Sequence, residues 1–111
     1  QGIYKEFSGV VEEIDEGDEI AKALGDKKVA ILQNHGILTT GPSVDIALWF
    51  YMSMERCCQA QLMAEAAGKP ISVSHETAVK TREFIANDIA AWASYQPAFD
   101  KIIKMQPDLL D

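Results

Sequence analysis

A polar centre, Gln33-Asn34-His35-Gly36, separates two short, strand-like aliphatic runs. Val29–Leu32 and Ile37–Thr40 are rich in aliphatic and β-branched side chains and suit the interior of a sheet. A gap this short leaves two arrangements open: a hairpin that turns at residues 33–36, or one long bent strand. Either way the apolar faces need helices to cover them, and the flanking sequence supplies helices.

Gly41-Pro42-Ser43 breaks the chain and starts a helix. From Val44 to about Ala67, apolar residues recur at Ala47, Phe50 or Tyr51, Met54, Cys58 and Leu62. These intervals of three and four predict a helix of about six turns with one buried face, ended by Gly68-Lys69-Pro70. Upstream, Asp15 is the expected N-cap of a short helix. Glu16, Asp18 and Glu19 put negative charge at its positive end, Ile20 and Leu24 form its buried stripe, and Gly25 supplies its left-handed end. Residues 1–14 mix aromatics, Gly9 and the pair Val10-Val11, and read as an irregular segment with one short strand. Downstream, Ser74 is the expected N-cap of a second long helix, marked by Val79, Phe84, Ile85, Ile89 and Trp92 and ending before Pro97. Residues 98–105 add another turn or two. The chain is therefore α/β, with too few strands for a complete sheet.

Composition narrows the function. A net charge of −7 argues against nucleic-acid binding, which needs a positive stripe to neutralise phosphates. No run approaches the roughly 18 apolar residues of a membrane span. Cys57 and Cys58 are adjacent in a helical pattern, where neighbours point about 100° apart. A strain-free bridge between them is not expected, which favours a reducing compartment and a packing role. The opening Gln1-Gly-Ile-Tyr-Lys-Glu-Phe has no methionine, signal-peptide pattern or helix start, and is expected to enter the middle of a larger domain.

His35 has two readings. As the polar tip of a hairpin it needs no further role, with Gly36 supplying a positive φ. As a metal ligand it needs partners, because a catalytic zinc takes three protein ligands. The other histidine, His75, sits beside a predicted N-cap and is expected to be a surface residue.

The segment from Glu16 to Leu62 resembles the class II aldolase and adducin family. The likeness runs through Ile20–Leu24 on the short helix, Val29–Gly36 on the strand and turn, and Gly41–Ala47 opening the long helix, with Glu55 and Arg56 within its apolar pattern. The resemblance implies a three-layer α/β/α domain with a mixed or antiparallel sheet, of which residues 1–111 are the C-terminal part. It also implies a Zn2+ ion held by three histidines, the third in the position of His35. The other two come from a His-x-His motif on an earlier strand, and an acid/base glutamate also lies upstream. Residues 1–34 contain no histidine, so no catalytic residue is assigned in this segment and His35 is the one metal ligand.

By resemblance, the activity is cleavage or formation of a C–C bond in a small (phospho)sugar or hydroxy-carbonyl compound through a metal-stabilised enediolate. Epimerases and decarboxylases of the family share that chemistry. The alternative is a non-catalytic interaction module like the adducin head domain. A cytoplasmic homo-oligomer, a tetramer by resemblance, is expected. Trp49, Phe50, Tyr51 and Met54, like Trp92, Tyr95 and Phe99, then serve the core or subunit contacts.

Overall fold

The computed structural model describes residues 1–5 and 14–110. Its elements run β1 (Gly2–Tyr4), α1 (Ile14–Leu24), β2 (Val29–Leu32), β3 (Gly36–Thr39), α2 (Val44–Ala67), α3 (His75–Ile85) and α4 (Asp88–Met105), followed by a single 3-10 turn at Pro107–Leu110. The pair Val10-Val11, the Gly9 beside it and part of the acidic stretch at 12–13 lie outside the described residues.

The three strands form one mixed sheet in the order β1-β2-β3. β1 runs parallel to β2, with Gly2 opposite Ala30 and Tyr4 opposite Leu32. β2 and β3 are antiparallel, with Val29 opposite Thr39 and Leu32 opposite Gly36, which settles the hairpin over the bent strand. Parallel neighbours need a crossover connection, and α1 lies in it.

Alternation along β2 sorts the helices onto two faces. Ala30 is fully buried on one face, where its partner Gly2 meets α1 so closely that an added Cβ would lie 2.1 Å from the Ala23 carbonyl oxygen. Val29 points the other way and packs against Ile46 and Phe50 of α2 and Ala91 of α4. The order of layers is α1, sheet, then α2 with α4. This is the expected three-layer arrangement, built on a small sheet.

The helix ends follow their caps. Gly25, with φ at +55°, ends α1, its N–H bonded to the Ala21 carbonyl at 2.8 Å. Ser43 caps α2, its Oγ accepting from the Ile46 N–H, and the Gly68 N–H closes the far end on the Ala64 and Glu65 carbonyls. Gly41 allows the tight entry: a Cβ there would sit 2.8 Å from Ile46 Cγ2 and 3.0 Å from the Ala47 nitrogen. α1 begins at Ile14, so the expected cap Asp15 lies one residue inside it, within the usual scatter of helix ends.

Two expectations need correction. The second long helix is two helices. The apolar pattern continues across residue 87, but Asn87 parts the two helices, its Oδ1 accepting from the Ala90 N–H at 2.8 Å and its Nδ2 donating to the Phe84 carbonyl at 2.7 Å. Capping α4 in this way satisfies donors that a continuous helix would bond elsewhere. Nor does Pro97 end α4, which runs through it to Met105. Pro97 and Ala93, whose carbonyl loses its N–H partner, are both exposed, so water can take the bond.

The apolar stripe of α2 is also wider than one face. Phe50 and Ile46 are buried, but Leu62 is 68% exposed and Tyr51 is exposed as well. A folded monomer of 12.2 kDa exposes about 6,100 Å², whereas this chain exposes 8646 Å². Among the described residues only Ala30, Ile46, Phe50 and Ala91 form the buried apolar core. No helix among them is long and apolar enough to cross a membrane.

Candidate metal-ligand site

Leu32 and Gly36 close the β2–β3 hairpin as its last pair, leaving Gln33, Asn34 and His35 as the loop. Three backbone features hold these residues. The Gln33 N–H donates to the Tyr4 carbonyl at 2.9 Å, carrying the β1–β2 ladder one residue beyond the strand. The His35 N–H donates back to the Leu32 carbonyl at 3.0 Å, the bond that closes a four-residue turn. Between them Asn34 adopts φ +60°, the one left-handed non-glycine among the described residues.

Gly36 therefore does not carry the turn's positive φ, contrary to the hairpin reading of the sequence. Asn34 does, because its short polar side chain tolerates that region better than most. A Cβ added at Gly36 would meet nothing within 4 Å, so the glycine leaves open space directly beside His35. The sequence signal that marks Asn34 is the asparagine itself, a residue that favours turns and tolerates the left-handed region, but the choice between Asn34 and Gly36 depended on the register of the hairpin.

His35 is exposed at this tip and takes part in an interaction of its own. Its N–H is bonded to the Leu32 carbonyl, and the flanking Gln33 and Gly36 are tied to Tyr4 and Leu32. Among the described residues no group of three His, Cys, Asp or Glu side chains could hold a metal ion. His75, the first residue of α3, is exposed on a different element, as expected of a surface residue. The donor chemistry of His35 thus fits one position of a metal site, and the described residues do not complete that site themselves.

Among the described residues, grooves lie away from His35 in two places. One, about 560 Å³, runs between Ile31 on the sheet and Met54, Cys57, Cys58, Gln61 and Leu62 on α2. Both thiols are free, Cys58 half-buried and Cys57 exposed, so only the first matches the packing role expected of the pair. The other groove lies where the start of β2 meets the α3–α4 junction, among Lys27, Lys28, Arg82 and Asn87. There Lys28 Nζ bonds Asp88 Oδ1 at 2.5 Å and stands 5.3 Å from the centre of the Phe50 ring, tying the strand to the far helix.

Comparison with known proteins agrees with this architecture. The family profile described as Class II Aldolase and Adducin N-terminal domain matches residues 3–62. A protein of Streptomyces niveus called Decarboxylase NovR is 37% identical over 107 residues, covering 96% of this chain and 40% of that one. The gamma-adducin of Rattus norvegicus is 31% identical over 64 residues, 57% of this chain and 9% of that protein. The solved structure titled L-fuculose 1-phosphate aldolase from Glaciozyma antarctica PI12 superposes with a TM-score of 0.81 at 33% identity, over 96% of this chain and 40% of that one. The chain thus spans about 40% of the length of NovR and of the fuculose-phosphate aldolase.

Proposed function

The chain belongs to the class II aldolase and adducin family, and from that premise we propose that it is the C-terminal part of the domain of a zinc-dependent, aldolase-like lyase in which His35 is one of the metal's ligands. The observation that carries the reading is the presentation of His35: an exposed imidazole on a loop whose backbone is bonded to β1 and to β2. The small core and the large exposed surface support a chain that packs against further protein, from the remainder of a longer chain or from other copies in a homo-oligomer. The remaining ligands and the acid/base group would come from there.

A bound divalent cation would supply Lewis acidity for the negative charge that develops when a C–C bond beside a carbonyl breaks. This chain's own contribution is to hold the His35 ring in place and, through the missing side chain at Gly36, to leave room for a small hydroxy-carbonyl compound or sugar phosphate next to it. Aldol cleavage and decarboxylation both need that charge stabilised, and relatives carry names of both kinds. The test is the metal content of the purified full-length protein: near-stoichiometric zinc that is lost in His35→Ala, with the fold kept by circular dichroism, supports the ligand. Unchanged zinc in that variant removes it.

A second reading, an adducin-like interaction module, is favoured by the gamma-adducin match and by the apolar residues that α2–α4 expose, Leu62, Phe84 and Trp92 among them. In that case the full-length protein binds no zinc and turns over no hydroxy-carbonyl substrate.

A further inference from the structure

The hairpin tip contains a backbone feature that the ligand reading of His35 does not by itself explain. Gln33 is fixed by its N–H bond to Tyr4, and Gly36 by its pairing with Leu32, so the path of the chain between them is decided at Asn34 and His35. Asn34 holds φ at +60°. Moving it to the ordinary right-handed or extended regions would turn the next peptide, break the 3.0 Å bond from the His35 N–H to Leu32 and swing the Cα–Cβ bond of His35 away from its present direction. Gly36, on the other side of His35, has no positive φ and so does not share in setting the turn.

We propose that Asn34 is a positioning residue, whose left-handed backbone aims the imidazole of His35 at the metal position. The inference rests on the ligand role of His35. It assigns the effect to the backbone conformation of Asn34 and not to its amide group. Glycine adopts this conformation without a Cβ penalty, whereas alanine pays the full steric cost. Asn34→Gly and Asn34→Ala both delete the amide, but only the second opposes the conformation.

The experiment measures zinc affinity of the full-length protein, with zinc alone as probe against a chromophoric chelator, for the wild type, Asn34→Gly, Asn34→Ala and His35→Ala. Amide hydrogen exchange at residue 35 is followed in parallel in the metal-free state. Asn34→Gly binds as the wild type does. Asn34→Ala binds about five- to thirtyfold more weakly, the steric cost of a left-handed alanine expressed as a ratio of binding constants. Exchange at His35 is slow in the wild type and the glycine variant and fast in the alanine variant, a readout that needs no metal. Equal affinity in Asn34→Ala and the wild type overturns the proposal, and so does a glycine variant as weak as the alanine one. If His35→Ala binds zinc like the wild type, the ligand role itself has failed. The exchange pattern then still reports whether Asn34 sets the backbone at position 35.

Discussion

Gly36 opens β3 and Gly41 follows its end five residues later, and the structure assigns them opposite tolerances. At Gly41 a Cβ would press on Ile46 Cγ2 at 2.8 Å, on Ile46 Cβ at 3.2 Å and on the Ala47 nitrogen at 3.0 Å. Ile46 is 7% exposed and belongs to the core cluster, and the Ala47 nitrogen is helix backbone, so neither can yield alone. The first turn of α2 must instead move away from β3, straining the 2.9 Å bond from Thr39 Oγ1 to the Ala47 carbonyl. At Gly36 the same methyl group meets nothing.

Neither glycine has a positive φ. Replacing either with alanine therefore gains the same unfolded-state entropy, about 0.4–1 kcal/mol. That term cancels in the difference between the two variants. What remains is the overpacking at Gly41, about 1–3 kcal/mol. In urea, with a slope of about 2 kcal/mol per molar, the midpoint of Gly41→Ala should fall on the order of 1 M below that of Gly36→Ala. Gly36→Ala itself should match the wild type or exceed it slightly. Equal midpoints for the two variants, or the reverse order, would refute the packing of α2 on β3 described above.

Three further outcomes follow from the helices and their ties. Asn87→Ala removes both the cap of α4 and the bond to Phe84, and should cost about 1 kcal/mol of stability by denaturant titration. Pro97→Ala restores an N–H for the Ala93 carbonyl in the middle of α4; with an interior proline costing about 3 kcal/mol, partly returned through the unfolded state, a net gain of about 1–2 kcal/mol and a stronger far-ultraviolet helix signal are expected. Asp88→Asn breaks the partly exposed pair with Lys28 and should cost at most about 1 kcal/mol, a difference that shrinks as salt is raised in the melts.

Elements bounded by punctuation were legible in the sequence. Gly41-Pro42-Ser43 and Gly68 fix α2 because a cap and a left-handed or extended glycine act locally, and the structure places its ends where they point. The α3–α4 break was hidden because periodicity continues across it. Only the capping geometry of Asn87, a matter of three-dimensional hydrogen bonding, reveals it. Pro97 misled in the opposite direction: an interior proline costs a helix stability without always ending it, and here the carbonyl it orphans can reach water. At the candidate site the sequence offered His35 itself. It did not tell which neighbour bears the positive φ, since that depends on the pairing of Leu32 with Gly36, and residues 1–34 contain no histidine to stand beside it.

The central claim, that His35 ligates a metal, meets its most direct test in crystals of the full-length protein grown with zinc, using anomalous diffraction at the zinc edge. The account predicts a peak about 2.0–2.1 Å from one ring nitrogen of His35, with other protein donors completing the coordination. An anomalous peak elsewhere, with the His35 ring turned away from it, would contradict the account.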